Sequence, residues 1–327
     1  MEFYPLKFKP VFHYRIWGGD QLKTSLNKEY DQEYDQESIG ESWEISAVPD
    51  SETVVANGVY AGATINNLIE RFKDAFLGKS VYDKFNGEFP LLIKFIDAKK
   101  PLSIQVHPNN EIARERHGSF GKNEMWYIMP SYKDATITVG FKEEVDRDSY
   151  QKHLENNTLT EVLNEFKVKA GDAFYIPTGR IHAIGAGVML AEIQQSSDVT
   201  YRIYDYDRKD VRTGQTRELH TDLALDAIDF NLQTQYHTDY SRKKNQPNKL
   251  INSPYFKTNF LKIKGVLERD LSDINSFTIY MCVKGSATLV CQEENYSLVQ
   301  GECILLPAGI DLITLDSKDA QCIEVYL

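Results

Sequence analysis

The sequence predicts a mainly β protein with two related β-barrels and a few helices packed outside them. Short runs of β-branched and aromatic residues recur along the chain, and turn residues separate them. Tyrosine (19 residues) and phenylalanine (16 residues) are abundant, and both favour strands. One turn motif occurs twice, which indicates a duplicated unit.

Individual elements follow from the local pattern. Apolar residues at i, i+3, i+4 and i+7 predict three helices: one that starts after Thr64 and stops at Gly78, one over 146–166, and one that starts at Thr221. The strands are predicted over 53–55, 91–95, 102–106, 126–129, 135–139, 173–176, 256–261, 277–282, 287–290, 303–306 and 322–326.

The composition is that of an ordinary folded protein. The chain has 327 residues, of which 42% are hydrophobic and 26% charged, enough for a buried core in one or two domains. A net charge of −11 argues against binding nucleic acid or an anionic membrane surface. We find no secretory signal and no apolar run of about 18 residues, and therefore expect a cytoplasmic protein. Buried, reduced thiols are expected for the four cysteines, Cys282, Cys291, Cys303 and Cys322.

We divide the chain into a catalytic domain (1–235), a polar linker (236–250) and a second barrel (251–327). The repeat supports this division. The runs GDAFYIPTGRIH and GECILLPAGIDL, which begin at Gly171 and Gly301, share Gly-x5-Pro-x-Gly, but Leu312 stands where His182 stood. A polar site is therefore expected in the first barrel only. The alternative is that two unrelated strands share one turn type.

Candidate metal ligands come from three separate segments. In the run PLSIQVHPN (101–109), strand alternation directs Gln105 and His107 to one face and their apolar neighbours to the other. Glu124 begins a later strand-like run, and His182 ends the repeated turn. One amide oxygen, two imidazoles and one carboxylate suit zinc. The ligand types alone do not exclude iron, manganese, cobalt or nickel.

Longer motifs resemble a known family. The runs PLSIQVHPN (101–109), GKNEMWY (121–127) and AEIQQSSDVTYRIYDY (191–206), with WGG (17–19) and GESWEIS (40–46), resemble the type I mannose-6-phosphate isomerases of the cupin superfamily, in their short bacterial form. The resemblance implies two cupin-type jelly-roll barrels, with the second degenerate. It also implies a zinc-dependent aldose–ketose isomerase that interconverts mannose 6-phosphate and fructose 6-phosphate through an enediol. By motif position it implies one zinc ion held by Gln105, His107, Glu124 and His182, with Arg202 catalytic and Lys122 in the active site.

Such a reaction needs a base for the migrating proton and an electrophile for the developing charge. Arg202 stays cationic and suits the second role. Glu192 is our leading candidate for the base, because it shares strand parity with Gln194 and so faces a polar side. The alternative for Glu192 is a partner that orients a metal ligand. Lys122 is the rival proton-transfer group, because desolvation near the metal would lower its pKa.

The substrate phosphate needs local cations within an acidic protein. Ser103, which shares the Gln105 face, is expected to bind it together with Lys94, Lys99 or Lys100, which flank the same segment. The alternative is that Lys99 and Lys100 form a solvated turn. Trp17 is expected in the pocket wall with the Trp43 indole, although both residues equally suit a buried core.

Two other function classes remain open at this level. A metal-dependent oxygenase of the same superfamily would more commonly place two histidines on one strand as His-x-His, where this chain has Gln105-x-His107. A non-catalytic sugar-binding regulator would not need Arg202, Lys122 and the metal ligands together. The expected partner is a small sugar phosphate, and we expect a monomer or a weak homodimer.

Overall fold

The computed structural model describes residues 3–30 and 38–327. The α-helices of the described part are α1 (Gln21–Thr24), α2 (Ile65–Phe72), α3 (Asp74–Leu77), α4 (Lys79–Lys84), α5 (Asn110–His117), α6 (Arg147–Glu155) and α7 (Thr221–Ala227). The strands are β1 (Phe8–Lys9), β2 (Val11–Gly19), β3 (Ile39–Ile45), β4 (Val54–Val55), β5 (Leu91–Ala98), β6 (Ile104–Val106), β7 (Glu124–Ile128), β8 (Thr136–Phe141), β9 (Leu163–Lys167), β10 (Ala173–Ile176), β11 (His182–Ile184), β12 (Val188–Gln195), β13 (Tyr201–Tyr204), β14 (Asn248–Asn252), β15 (Lys257–Asp270), β16 (Thr278–Lys284), β17 (Ser286–Cys291), β18 (Glu294–Val299), β19 (Cys303–Leu306) and β20 (Leu312–Tyr326). The predicted mainly β class is confirmed.

Two sheets form a sandwich around the site. One has the strand order β10-β7-β12-β5-β2-β3, and the other has the order β13-β6-β11-β8-β9. Alternate residues of both sheets meet in a shared apolar core, with Ile96 and Leu190 from the first sheet and Ile137 and Ile184 from the second. This apolar core fills one end of the sandwich and leaves the polar side chains at the other.

Both outer faces of the sandwich are covered. The residues of β5 and β12 that point outward, such as Phe95 and Ile193, pack with α2–α4 and with C-terminal residues such as Phe260. On the other side, Ile104 and Val106 of β6 pack in a cluster with residues of α6 and α7. Strands buried on both faces are held rigidly, which suits them to position a site.

A third sheet makes up the C-terminal part, in the order β14-β15-β20-β16-β19, with β17 joined to β20 and β18. Its interior is filled by apolar side chains, among them Leu261, Leu289 and Leu315. The strand pairings leave each sheet of the described chain open, so the two predicted jelly-roll barrels stay a prediction. In the same part of the chain, no helix is long and apolar enough to cross a membrane.

The repeated turn motif has the same structure in both places. Gly171 and Gly301 adopt positive φ angles of 89° and 87°, which glycine tolerates without strain. The amide of Gly171 donates to Ile128 O at 2.8 Å, and that of Gly301 donates to Cys282 O at 2.9 Å. The strand orders β10-β7-β12-β5 and β19-β16-β20-β15 correspond. The duplication seen in the sequence is therefore also a duplication of topology.

The pairing register extends this correspondence to single residues. Phe174, Trp126, Glu192 and Lys94 lie in one cross-strand row of the first unit. The equivalent row of the second unit contains Ile304, Tyr280, Glu324 and Asn259. One row position of each unit thus holds a buried glutamate. At the positions of two predicted metal ligands, by contrast, Thr278 is the counterpart of Glu124 and Leu312 that of His182.

Some predicted helices differ from the structure. Thr64 does cap α2, in a reciprocal capping box with Asn67, but the helix breaks at Lys73, whose φ is 52°, and continues as α3. The prediction over 146–166 is correct for α6 and wrong beyond it, where a 3-10 turn (Leu159–Val162) leads into β9. The apolar residues of 159–163 are buried in either conformation, so their pattern alone did not separate helix from strand. The predicted linker ends within β14, which starts at Asn248.

Candidate metal centre and active site

Strand pairing brings the four predicted ligands together. His182 on β11 is the direct register partner of Gln105 on β6, and His107 lies just beyond the end of β6. Ligand atoms of His107, Glu124 and His182 all lie within 4.8 Å of one another, and the three residues are buried. Gln105 Nε2 lies 3.2 Å from His182 Nε2.

Backbone carbonyls set the tautomers of both histidines. His107 Nδ1 lies 3.0 Å from Val199 O, and His182 Nδ1 lies 2.8 Å from Arg180 O. Because a carbonyl oxygen only accepts, each Nδ1 carries the proton and each Nε2 keeps its lone pair. These Nε2 atoms face Glu124, at 3.2 Å for His107 and 3.8 Å for His182.

The local environment also keeps these imidazoles neutral. Burial lowers the pKa of His107 to about 3, with a further contribution from the Lys122 ammonium. The pKa of His182 is lowered by burial as well. Neutral imidazoles with unprotonated Nε2 atoms are the form in which histidine binds a metal ion.

Glu124 completes a donor set that fits a divalent cation. Burial alone would raise the pKa of this carboxyl, but Lys122, His107 and His182 together outweigh burial and lower the pKa well below the usual value. Its Oε2 is buried and accepts no hydrogen bond from the described residues. Gln105 now directs Nε2 towards His182, while its Oε1 lies 3.4 Å from Ser103 Oγ. Ligation through Oε1 therefore requires the amide to turn over, which rotation about one torsion allows.

A cavity of about 410 Å³ lies beside this cluster. Seven of the residues singled out from the sequence line it: Trp17, Lys94, Ser103, Gln105, Lys122, Glu192 and Arg202. Trp43 also lines it. Lys99 and Lys100 are exposed and lie outside the lining.

Glu192 is fixed in the cavity wall by two neighbouring strands. It shares the inward face of β12 with apolar Leu190, and its cross-strand neighbours are Trp126 and Lys94. Trp126 Nε1 donates to Glu192 Oε2 at 2.8 Å, and Lys94 Nζ lies 3.2 Å from Oε1. Burial raises the pKa of Glu192, and the nearby Glu124 charge raises it further.

Arg202 is held by the backbone rather than by an acid. It pairs with Gln105 across β13 and β6, and its Nη1 donates to Glu218 O at 2.8 Å. Its Nε is buried without a hydrogen-bond partner among the described residues. Burial and the Arg217 charge lower its pKa to about 10, so the guanidinium remains protonated at neutral pH. It is therefore available to an anionic ligand.

Comparisons with known proteins decide the family. A family model for the type I phosphomannose isomerase catalytic domain matches residues 6–168, and one for the mannose-6-phosphate isomerase cupin domain matches 247–327. Mannose-6-phosphate isomerase ManA of Bacillus subtilis is 36% identical over 99% of both chains. The chain belongs to the type I phosphomannose isomerase family. The predicted family and the predicted class of enzyme, an isomerase, are thereby confirmed.

Two further comparisons support membership of the phosphomannose isomerase family. A mannose-6-phosphate isomerase of Streptococcus mutans is 34% identical over 97% of this chain and 99% of its own length. The crystal structure of the mannose 6-phosphate isomerase from Bacillus subtilis superimposes with a TM-score of 0.87, at 32% identity and 99% coverage of each chain. The whole architecture, rather than the motifs alone, is shared.

The pKa of Lys122 is shifted in the direction opposite to the one predicted from the sequence. We expected desolvation to lower the pKa of Lys122. Burial does disfavour its charge, but the carboxylates of Glu124 and Glu192 outweigh that cost and raise the pKa. The ammonium contacts Glu124 Oε1 and lies 3.2 Å from His107 Nε2. In this structure the Lys122 side chain is therefore a protonated ammonium at neutral pH.

Two arginines that line the cavity, Arg15 and Arg217, were not predicted from the sequence. Arg15 on β2 donates to Glu41 through Nε and Nη2 at 3.1 and 3.0 Å. Arg217 donates to Asp205 through Nε and Nη2 at 2.8 and 2.6 Å. Strand parity was the available signal for Arg15, because it shares the face of β2 that carries Trp17. The sequence has no comparable pattern around Arg217, because this residue reaches the cavity from an irregular loop.

The cavity lining is richer in basic side chains than the protein as a whole. The five basic side chains in its lining are Arg15, Lys94, Lys122, Arg202 and Arg217, and the four acidic ones are Glu41, Glu192, Asp198 and Asp210. Two further carboxylates, Glu124 and Asp205, contact Lys122 and Arg217. Arg202 instead donates to a backbone carbonyl, so its charge is the one that favours an anionic ligand.

Proposed function

We propose that this chain interconverts mannose 6-phosphate and fructose 6-phosphate in the cavity, with one zinc ion per molecule. The observation that carries the proposal is the convergence of two neutral imidazoles and a buried carboxylate beside a cavity that also contains Glu192 and Arg202. The full-length relatives are named for this activity, which supports the same substrate pair.

The zinc ion would be held by Gln105, His107, Glu124 and His182. When bound, it would supply Lewis-acid polarisation of the substrate oxygens. Trp126 packs edge-on against the His182 ring, with ring centroids 5.4 Å apart, and the two carbonyls described above hold the imidazole planes. The protein thus orients its two imidazole ligands in advance, which favours tight and specific binding.

We assign proton transfer to Glu192. The isomerisation moves one proton between adjacent carbon atoms and a second between the oxygen atoms that these carbons carry, and the electron pair of the broken C–H bond becomes part of an enediolate. Glu192 would take the proton from one carbon and return it to the next, with the carboxylate held by Trp126 and Lys94. A carboxyl whose pKa is raised by burial is a stronger base than a solvated one.

Arg202 and Lys122 would stabilise the negative charge of the enediolate. Both stay protonated at neutral pH in this structure, and both line the cavity. A fixed donor in a buried site stabilises developing charge more than solvent does, because it need not reorient during the reaction.

The phosphate would bind at the more exposed end of the cavity. Lys94 and Glu192 are almost fully buried, whereas Arg15 and Arg217 have side chains about one-third and one-fifth exposed, at 32% and 21%. We therefore place the reacting carbons near Glu192 and the phosphate near Arg217, with the Ser103 hydroxyl as a further donor. We assign to Lys94 the role of holding the Glu192 carboxylate, which it contacts, rather than that of binding the phosphate.

The remaining expectations are proposals about organisation. We propose that 1–235 and 251–327 are two cupin jelly-roll units joined by 236–250, with a degenerate second unit. The cupin-domain match over 247–327 and the repeated register support this division. A cytoplasmic monomer or weak homodimer remains our expectation.

Metal analysis combined with a coupled isomerase assay tests the function. Stoichiometric zinc together with turnover of mannose 6-phosphate is the expected result. Zinc without turnover would instead favour a sugar-binding regulator, and bound iron with oxygen consumption would favour an oxygenase.

A further inference from the structure

Gln194 is a buried residue beside the metal cluster that the mechanism above does not use. It lies on β12, two residues after Glu192 and on the same face, and its cross-strand neighbour on β7 is Glu124. Its side chain is completely buried. A buried amide costs folding free energy unless it is hydrogen-bonded, so its partners indicate its role.

The Gln194 side chain closes the turn that follows β12. Its Nε2 donates to Ser197 O at 2.6 Å and to Gln195 O at 2.9 Å. Both partners are carbonyl oxygens, which only accept, so the orientation of the amide is set by the network. Within the same turn, the Ser197 amide donates to Gln195 O at 2.8 Å, and the Val199 amide donates to Ser197 Oγ at 3.3 Å.

This turn carries the carbonyl that orients a metal ligand. Val199 O accepts the Nδ1 proton of His107 at 3.0 Å, and Val199 lies two residues beyond Ser197, which Gln194 holds. The Gln194 amide is therefore connected to the imidazole of His107 through hydrogen bonds at both ends of the short backbone segment 197–199.

We propose that Gln194 is a positioning residue for the metal centre. By holding the turn around Ser197, it keeps Val199 O in line with His107 Nδ1, so that the Nε2 lone pair of His107 points to the cluster. This role rests on the proposed metal centre. Partners of metal-binding histidines outside the ligand set typically change metal affinity by about 10–100-fold when removed.

The test compares Gln194→Met with a matched control, Asn248→Leu, in the full-length protein. Asn248 is also a buried amide that closes a turn, since its Nδ2 donates to the carbonyls of Lys243, Gln246 and Phe260 at 2.8, 3.0 and 3.1 Å. It lies in the C-terminal sheet. Zinc affinity of the metal-free proteins is measured by competition with a chromophoric chelator, and thermal unfolding of the same samples reports stability.

We expect both variants to unfold at lower temperature, but only Gln194→Met to bind zinc more weakly, by about 10–100-fold. Unchanged zinc affinity in Gln194→Met, or an equal loss in Asn248→Leu, would overturn the proposal. Wild-type protein that took up no zinc would refute the metal centre and this role together, whereas wild-type binding matched by Gln194→Met would refute this role alone.

A milder variant covers the case in which Gln194→Met does not fold. Ser197→Ala removes the hydrogen bonds of Ser197 Oγ with the Val199 amide and with Ser119 Oγ and should fold. Its zinc affinity should fall about five-fold, as expected for the loss of the one hydrogen bond that reaches Val199. An unchanged affinity in Ser197→Ala would then count against the proposal.

Discussion

Glu192 and Glu324 occupy equivalent positions in the two repeated units, and their replacement by glutamine should have opposite effects. Glu324→Gln should lower stability and leave catalysis intact at 25 °C. Glu192→Gln should abolish most turnover with little loss of stability. The two substitutions make the same chemical change at the same register position, so each is the control for the other.

The stability cost at Glu324 follows from its partners. The fully buried carboxylate accepts from Tyr280 OH at 2.8 Å, from Asn259 Nδ2 at 2.7 Å, and from Arg269 Nε and Nη2 at 2.8 and 3.2 Å. A glutamine would place an NH2 group against some of these donors and leave Arg269 without its carboxylate. Breaking a buried pair costs about 3–5 kcal/mol.

The lower end of that range applies here. The Arg269 side chain is 14% exposed, so water partly compensates the unpaired guanidinium, and we expect a loss of about 3 kcal/mol. The unfolding entropy of a 327-residue chain, at about 2.1 cal/mol/K per residue, corresponds to roughly 1.5 °C per kcal/mol, so Tm should fall by about 4–5 °C.

Glu192→Gln meets a different environment. The amide oxygen keeps the hydrogen bond from Trp126, and Lys94 still has Glu41 at 3.9 Å. Because burial raises the pKa of Glu192, its ionised form opposes folding at neutral pH, and neutralising it offsets the lost ion pair. Loss of a general base should lower kcat by about 10²–10⁴-fold.

The assay is thermal unfolding and steady-state kinetics on the same zinc-loaded preparations. Unfolding of Glu324→Gln at the wild-type temperature would refute the first effect, because the hydrogen-bond network of Glu324 would then be energetically neutral. Turnover of mannose 6-phosphate by Glu192→Gln at close to the wild-type rate would refute the second.

Three further predictions concern the site. His182→Ala should lose zinc and activity together, as measured by metal content and turnover, and retained zinc would count against its place among the ligands. Arg202→Ala should keep zinc and lose about 10²–10³-fold in kcat, because a fixed stabiliser of developing charge is gone; a near-normal rate would exclude that role. The double variant Lys99→Ala/Lys100→Ala should change kcat/KM by no more than about two-fold, since both residues are exposed outside the cavity; a large rise in KM would return them to the phosphate site.

Local periodicity determined much of the site in advance. Strand alternation places Ser103 and Gln105 on one face and Ile104 and Val106 on the other, and the structure shows the first pair in the cavity lining and the second in an outer core. The period of a strand is set by backbone geometry, so it can be read wherever the strand is recognised.

The duplicated turn was equally readable, because glycine at a positive φ and the Pro-x-Gly spacing are local requirements of the chain. The predicted strands 173–176 and 303–306 coincide with β10 and β19. The second copy of the motif has Leu312 at the position where the first has His182, which already indicated that the first unit holds the polar site.

The tertiary structure alone decided how distant charges combine. The pKa of Lys122 is raised rather than lowered, because Glu124 and Glu192, from two other positions, outweigh the cost of burial. Arg217 lines the cavity because an irregular loop brings it there and because Asp205 accepts hydrogen bonds from its guanidinium. The sequence determined which residues face inward along each strand, since that depends on neighbours in the chain. Which inward residues meet, and with what net charge, depends on strands far apart in sequence, and only the assembled sheets set those distances.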